Sequence, residues 1–385
     1  MEAEILDVRG LRTDFHTYEG VVKALDEISF SLNKGETLGI VGETGCGKTV
    51  AMLSILQLVL PPGKIESGSA FFRSAGRLID LITQSETTMR SIRGNEISLI
   101  FQEASSALNP VLTIGSQVSE AFLLHRQSDL CERVLKGIWE RLEGARGIRK
   151  LILLAARRRY LRKLGKASTN SLGGSGYGVL LKREALSASA SLLECLGIPN
   201  PREAVRRYPH ELSGGMQQRV VISMALACSP KVLIADEPTS NLDVTIQAQI
   251  LELIDRLKDS YRSQVVFITH DLGVVSEMAD RVIVLYAGEL VETAPVKELF
   301  AKPLHPYTKA LLRSVPKPGV RERLESIGGS VPNLVEPPSG CRFHPRCPHV
   351  MDVCMVRKPP LFERVESSGA GHTAACFLLA GAKTE

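Results

Sequence analysis

The chain has 385 residues, of which 44% are hydrophobic and 23% are charged, and its formal net charge is +5. This length accommodates two or more domains, and the composition is typical of globular proteins rather than disordered ones. We find no apolar run that approaches the roughly 20 residues of a membrane helix, and no signal peptide at the polar start. We therefore expect an intracellular protein. The modest net charge alone does not indicate binding to nucleic acid.

The first predicted elements are antiparallel strands between Ile5 and Leu32, where short apolar and polar runs alternate between turns that contain glycine. The next apolar run, Leu38 to Val41, is followed by a glycine-rich turn and then by a helical pattern that ends near Leu60. This order of strand, turn and helix is the context in which a glycine-rich loop binds phosphate.

The turn reads G-x-x-x-x-G-K-T. Its glycines let successive backbone N–H groups converge on one anion, the following helix adds the positive end of its dipole, and Lys48 can reach the terminal phosphates. Thr49 would then bind Mg²⁺ through its hydroxyl. The predicted nucleotide-binding residues of the turn are Gly42, Glu43, Thr44, Gly45, Cys46, Gly47, Lys48 and Thr49.

Two aromatic residues, Phe15 and Tyr18, precede this loop by some two dozen residues. An aromatic ring there can stack on adenine, whereas packing in the core is the ordinary role of such a side chain. We expect one of the two rings to stack.

Gln102 ends a predicted buried strand that begins at Ile97. Its amide could hold a water that is bound to Mg²⁺ or that attacks phosphate. A glutamine at a strand end is otherwise simply solvated.

A basic segment interrupts the helical pattern that runs from Ser116 to Leu196. Residues 146–166 hold nine basic side chains and no acid, and a flexible loop rich in Ser and Gly is predicted from Ser168 to Gly178. The basic segment could lie on an anionic membrane surface or on the acidic face of a partner, or it could be a solvated helix face.

A second glycine-rich turn, Ser213-Gly214-Gly215, stands at the start of the helical pattern 220–228. A hydroxyl and bare N–H groups at a helix start can bind phosphate. One nucleotide does not need two such cradles from the same subunit, so the second cradle is expected to serve a neighbour.

Two carboxylates, Asp236 and Glu237, follow the apolar strand 232–235, and His270 follows the apolar strand 265–269. Parallel strands deliver such side chains to the edge from which the phosphate loop also emerges. There Asp236 could hold Mg²⁺ through water, Glu237 could polarise the attacking water, and His270 could contact the γ-phosphate.

Together these motifs resemble, in order, those of the ATP-binding subunit of ABC transporters, over residues 5 to about 290. The correspondences are Walker A at 42–49, the Q-loop at Gln102, the signature at 212–217, Walker B at 232–237, the D-loop at Asp243 and the switch histidine at His270. Met216 departs from the signature, where many ABC proteins have Gln. The resemblance implies an ATP hydrolase with ATP and Mg²⁺ bound at a dimer interface, where the signature turn covers the opposing subunit's ATP.

The resemblance also implies an α/β fold for residues 1–300, with a RecA-like core, an antiparallel β-subdomain and a helical subdomain at about 104–212. The basic insertion, about 140–185, is not part of the family pattern. The motifs at 303–311 and 340–348 resemble the C-terminal extension of oligopeptide and dipeptide importer subunits, which implies a small Cys-rich extension at 301–385.

This subfamily resemblance predicts an ATPase that energises the import of di- or oligopeptides, with an oligosaccharide or nickel importer as the alternative. The implied partners are a second ATP-binding subunit, expected to be a paralogue in a heterodimer, two transmembrane permeases and, indirectly, a solute-binding protein. The resemblance also implies that the protein is bound peripherally to the cytoplasmic side of the cell membrane. A nucleic-acid ATPase is disfavoured because only one phosphate loop is present, and a non-catalytic subunit because Glu237 and His270 are present.

Four of the eight cysteines crowd the end of the chain. Clustering in an intracellular protein favours a metal site over disulfides, and the paired C-x2-4-C knuckles of structural zinc are absent. The subfamily resemblance implies a 4Fe-4S cluster, and a zinc site that also uses His344, His349 or His372 is the alternative. The expected ligands are Cys341, Cys347, Cys354 and Cys376.

Overall fold

The structure is a computed structural model. It describes residues 4–74, 76–143, 154–155, 158, 176–240, 242–314, 327–363 and 371–383. Apart from positions 154, 155 and 158, the basic segment 146–166 lies outside the described residues, so its role stays a prediction.

The strands are numbered in chain order. They are β1 Glu4–Thr17, β2 Gly20–Asn33, β3 Thr37–Val41, β4 Gly63–Ser74, β5 Arg77–Asp80, β6 Ile97–Ile100, β7 Val232–Asp236, β8 Gln264–Ile268, β9 Arg281–Tyr286, β10 Glu289–Pro295, β11 Phe362–Glu363 and β12 Thr373–Ala374.

The α-helices are numbered in the same way. They are α1 Lys48–Ile55, α2 Glu86–Ile92, α3 Ala104–Ala107, α4 Ile114–His125, α5 Gln127–Glu143, α6 Gly176–Cys195, α7 Pro201–Ala204, α8 Gly214–Leu226, α9 Val244–Tyr261, α10 Leu272–Met278, α11 Val296–Ala301, α12 Pro306–Arg313 and α13 Asp352–Val356.

The chain divides into two compact units. The first contains Met1–Arg93, Lys231–Glu237 and Asp255–Glu385, and the second contains Gly94–Pro230 and Pro238–Ile254. The domain boundaries expected from the sequence stay predictions.

The first unit contains an antiparallel sheet with the strand order β2-β1-β4-β5. Leu6 of β1 lies opposite Leu32 of β2 and Phe72 of β4, and all three side chains are buried. Alternation along these strands therefore directs one face to the core. The antiparallel strands predicted before the phosphate loop are confirmed.

The first unit also contains a mixed sheet, in which β11, β12, β10, β9, β3, β8 and β7 follow one another. The neighbours β9, β3, β8 and β7 are parallel, whereas β10 and β12 join antiparallel. All five residues of β3, of β7 and of β8 are buried, as is typical of parallel strands covered on both faces. The parallel register brings the carboxyl ends of β3, β7 and β8 to one edge.

The second unit is largely helical. Leu130, Val134 and Ile138 of α5 share a buried cluster with Leu181 and Ala185 of α6, at the four-residue spacing of an amphipathic helix. The helical patterns predicted on both sides of the basic segment are therefore confirmed.

The predicted flexible loop from Ser168 to Gly178 is wrong at its C-terminal end, because α6 already begins at Gly176. Glycine weakens a helix interior but is tolerated in a first turn, where intrahelical bonds are incomplete. Within the described residues, none of the helices combines the length and the apolar character that crossing a membrane requires.

Candidate nucleotide-binding and hydrolysis site

The phosphate loop connects β3 to α1, and two of its glycines cannot be replaced without strain. Gly47 has a left-handed φ of 101°, and a Cβ at this position would lie 2.7 Å from the carbonyl oxygen of Ala24. A Cβ at Gly42 would collide with the carbonyl oxygen of Leu285. Close packing against neighbouring backbone, and not only the turn itself, thus requires glycine at both ends of the loop.

Lys48 is buried and folds back onto the loop that it follows. Its Nζ donates to the carbonyl oxygen of Gly42 at 2.7 Å and to that of Glu43 at 3.0 Å. An ammonium has three donors, so it can exchange these bonds for phosphate oxygens when an anion enters the loop. Thr44 and Gly45 are exposed at the tip of the loop, and the thiol of Cys46 is buried with a raised pKa.

Thr49 and Asp236 meet beside the loop. The hydroxyl of Thr49 donates to Oδ2 of Asp236 at 2.7 Å. Burial raises the pKa of Asp236, and the hydrogen bond from Thr49 opposes that shift. A buried carboxylate next to a hydroxyl is a pair of hard oxygen donors, and a divalent cation there would offset the cost of burying the charge.

Glu237 and His270 also meet at this edge. Oε1 of Glu237 lies 3.1 Å from Nδ1 of His270, and the backbone N–H of Glu237 donates to the carbonyl oxygen of Ile268 at 2.9 Å. Glu237 has a φ of 45°, a left-handed conformation that is rare outside glycine and is concentrated at functional sites. The histidine side chain is 63% exposed and that of Glu237 is 13% exposed, so the histidine lies on the solvent side of a largely covered carboxylate.

The first unit therefore brings together six of the predicted site positions at one edge of its parallel strands. They are the loop residues Gly42, Lys48 and Thr49 with Asp236, Glu237 and His270.

The residues of the other three predicted motifs, the Q-loop, the signature and the D-loop, lie in the second unit. Gln102 is exposed, and its carbonyl oxygen accepts from the hydroxyl of Ser240 at 2.8 Å. Ser213 stands at the N-cap of α8, but its side chain makes no capping hydrogen bond with that helix. Gly214 and Gly215 begin α8, and a Cβ at Gly215 would lie 2.9 Å from a methyl of Ile246.

Asp243 has a local structural role in the second unit. Its Oδ1 accepts from the backbone N–H of Ile246 at 3.0 Å, at the start of α9. This is the hydrogen bond of a helix cap.

The two predicted aromatic candidates differ in exposure. Tyr18 is 98% exposed in the turn between β1 and β2, so packing in the core is excluded for it within the described residues. Phe15 is partly buried on β1 opposite Val22. Tyr18 is therefore the freer of the two rings.

The four C-terminal cysteines line one narrow cavity in the first unit, together with His305, His344 and His349. Burial raises the pKa of Cys341 to about 12 and also raises those of the thiols of Cys347 and Cys376. His372, expected as an alternative zinc ligand, is fully buried, and its Nε2 lies 2.8 Å from a carboxylate oxygen of Glu292. That nitrogen is therefore engaged by a carboxylate.

The expected metal centre is not shown. Across the described residues, no three His, Cys, Asp or Glu side chains form a group that could hold one metal ion. Tetrahedral zinc needs its ligands about 2.0–2.3 Å from a single point, and a shared cavity does not by itself meet that requirement.

Sequence reasoning missed the contacts of Glu43. Its backbone N–H donates to the hydroxyl of Tyr307, and its carboxylate pairs with the guanidinium of Arg346. Arg346 belongs to the C-terminal motif 340–348, but nothing in its spacing indicates a partner some 300 residues earlier.

Comparisons with known proteins agree with this geometry. A family profile described as ABC transporter matches residues 25–240, and a second profile, described as oligopeptide/dipeptide transporter, C-terminal region, matches residues 291–354.

Individual relatives cover nearly the whole chain. The oligopeptide transport ATP-binding protein AppD of Bacillus subtilis is 41% identical over 376 residues, which cover 97% of this chain and 96% of the relative. The dipeptide transport ATP-binding protein DppD of the same organism is 42% identical over 378 residues, covering 97% and 95%.

Among solved structures, the ATP-binding cassette MJ0796, in a dimeric post-hydrolysis state bound to ADP and Pi, aligns with a TM-score of 0.54. At 22% identity, over 76% of this chain and 98% of that one, this likeness shows the ATP-binding cassette fold. The chain belongs to the ABC transporter family, in which ATP hydrolysis is coupled to transport.

Proposed function

We propose that this chain is the ATP-hydrolysing subunit of a peptide importer. The observation that supports the proposal most directly is the meeting of the phosphate loop, the Thr49 and Asp236 pair and the Glu237 and His270 pair at one edge of the parallel strands. Each part of phosphoryl transfer has a side chain there: a cation for the phosphates, oxygen ligands for Mg²⁺ and a base for water.

In this mechanism Lys48 and the loop amides bind the phosphates of ATP, and an aromatic ring, Tyr18 or Phe15, stacks on adenine. Thr49, Gln102 and Asp236 would hold Mg²⁺, which would supply positive charge against the phosphates. Glu237 accepts a proton from the attacking water, and His270 keeps the carboxylate oriented and contacts the γ-phosphate. These groups stabilise charge that develops on the transferring phosphoryl.

We propose further that Ser213, Gly214 and Gly215 cover ATP on an opposing subunit, expected to be a paralogue, with Asp243 beside that interface. The hydroxyl of Ser213 supports this role, because it makes no capping hydrogen bond to its own helix. Ser213→Ala should then reduce hydrolysis at the neighbour's site. Mixing this variant with a partner subunit that lacks its own catalytic carboxylate tests the assignment, because hydrolysis then remains only at the site of the Ser213→Ala chain itself. We expect that remaining turnover to be unchanged. A loss of turnover at the variant's own site would contradict the assignment.

The names of the relatives support peptides as the cargo. Two transmembrane permeases would then receive the closing motion through the Gln102 region on the cytoplasmic side of the membrane, and a solute-binding protein would deliver the cargo. The test is ATP turnover of the complex in liposomes, with dipeptides, oligopeptides, oligosaccharides or Ni²⁺ offered through the binding protein. Stimulation of ATP turnover by peptides alone supports the proposal. Stimulation by an oligosaccharide or by Ni²⁺ alone would contradict it and identify that compound as the cargo.

We also propose that Cys341, Cys347, Cys354 and Cys376 hold a 4Fe-4S cluster. All four thiols line one cavity, and four cysteine thiols are the donor set of such a cluster. A cluster of four irons takes each thiol at a different iron, so its ligands need not converge on one point as those of zinc do.

Iron, sulfide and zinc analysis after anaerobic purification tests this proposal. We expect about four irons per chain, lost in Cys347→Ser and retained in Cys195→Ser, whose cysteine is exposed and lies outside the cavity. Stoichiometric zinc without iron, or no metal, would overturn the cluster.

A further inference from the structure

Three groups of Glu43 make hydrogen bonds or ion pairs. Its carbonyl oxygen accepts from Lys48, its N–H donates to the hydroxyl of Tyr307 at 2.9 Å, and its carboxylate pairs with Arg346 through both oxygens, at 2.7 and 3.1 Å. Lys48 belongs to the phosphate loop, whereas Tyr307 and Arg346 belong to the C-terminal segment 291–354. One loop residue thus connects the phosphate-binding lysine to the far end of the chain.

Arg346 is built into this position. Its side chain is only 5% exposed, its Nε donates to the carbonyl oxygen of Gly328 at 2.8 Å, and its guanidinium lies 5.7 Å from the centre of the Tyr286 ring. A bidentate guanidinium-carboxylate pair is strong and directional, and a buried guanidinium that loses its carboxylate is left uncompensated. The contact with Glu43 is therefore not a solvated surface ion pair.

The same region is packed around aromatic rings. Tyr307 lies 4.6 Å from Tyr286 and 5.5 Å from Phe343, measured between ring centroids, and Val41, the last residue of β3, belongs to the same buried cluster. The hydroxyl of Tyr307 is therefore held in place by fully buried neighbours. This buried cluster adjoins the glycine-rich phosphate loop that follows β3.

We propose that Arg346 and Tyr307 are positioning residues for the nucleotide site: they hold Glu43 so that the phosphate loop is preorganised for ATP, and ATP affinity depends on the C-terminal segment. The inference rests on the proposed ATP-binding function. Preorganisation lowers the cost of ordering a loop upon binding, so a phosphate loop that is no longer held in place should bind ATP more weakly.

The experiment is a titration of the purified full-length chain with a fluorescent ATP analogue and Mg²⁺, with unlabelled ATP as competitor. Arg346→Gln should weaken ATP binding by about ten-fold, Arg346→Lys should restore part of the loss, and Tyr307→Phe should weaken binding less. The double variant Glu43→Gln/Arg346→Gln should lose no more ATP affinity than the more strongly affected of the two single variants, because both substitutions remove the same interaction.

Arg281→Gln is the matched control. Arg281 is likewise a largely buried arginine that pairs with a glutamate through both carboxylate oxygens, at 2.7 and 3.1 Å, but its partner is Glu36, at the opposite end of β3 from the phosphate loop. We expect it to lower the melting temperature and leave ATP affinity within about two-fold. If Arg346→Gln does not fold, the ATP affinity of Tyr307→Phe tests the inference in its place.

Wild-type affinity in Arg346→Gln and Tyr307→Phe would overturn the inference, as would an equal loss in Arg281→Gln. A wild-type chain that bound no ATP would instead contradict the proposed function itself.

Discussion

The hydroxyl of Thr49 donates to the carboxylate of Asp236 at 2.7 Å across 187 residues of sequence. This hydrogen bond joins the start of α1 to the end of β7, because parallel pairing brings both strand ends to one edge of the sheet. A hydroxyl and a buried carboxylate in contact form the hard oxygen set that Mg²⁺ prefers.

Replacing that carboxylate should weaken Mg²⁺ binding and preserve nucleotide binding. For Asp236→Asn we expect the Mg²⁺ concentration that gives half-maximal ATP hydrolysis to rise by at least about ten-fold, because one charged ligand partner is removed. Asp280→Asn is the control, since Asp280 accepts from Thr37 at the opposite end of β3. An unchanged Mg²⁺ dependence in Asp236→Asn would remove Asp236 from the metal site.

Lys48→Ala should lose both ATP binding and hydrolysis. Lys48 donates to two loop carbonyls, so its removal takes away the cation for the phosphates and a contact that orders the loop. Equilibrium ATP binding and steady-state turnover measure the two effects, with Lys64→Ala, an exposed lysine paired with Glu66, as the control. ATP binding of wild-type strength in Lys48→Ala would be inconsistent with the assignment.

Stability should decrease in mild acid because of His305. Burial lowers the pKa of His305 to about 4; the nearby carboxylate of Glu292 raises this pKa, and the positive charge of Lys309 lowers it further. The neutral Nδ1 of His305 accepts a hydrogen bond from the backbone N–H of Tyr307. The unfolded chain therefore binds a proton at higher pH than the folded one, and stability is full above about pH 6.5 and falls as the pH drops towards 4.

Thermal unfolding at several pH values measures this effect. His305→Asn keeps a residue that can cap α12 but removes the titrating ring, so its melting temperature should fall less between pH 6.5 and 4 than that of the wild type. Parallel pH profiles for the two proteins would show that another group is responsible.

Much of the fold was predictable because its signals are local. The parallel strands read as short apolar runs ending in Asp236 or just before His270, and the loop glycines mark the turn that follows β3. The start of α6 was placed wrongly because glycine and serine favour a loop, whereas packing of the later helix residues extends the helix back to Gly176.

The contacts of Glu43 could not be predicted from the sequence. The ion pair between Glu43 and Arg346 forms only after the C-terminal segment packs on β3, and neither residue has an unusual neighbourhood in sequence. The cysteines show the opposite limit: their clustering was visible, but whether their thiols converge on one ion is a matter of geometry that spacing does not determine.

The most direct test of the account is the ATP turnover of Glu237→Gln in the assembled transporter, measured together with ATP binding. Gln keeps the shape of the side chain near His270 but cannot accept a proton, and a positioned general base contributes roughly 10²- to 10⁴-fold to the rate. We expect a loss of turnover of that size with ATP binding retained. Near-normal turnover in this variant would contradict the assignment of Glu237 as the catalytic carboxylate.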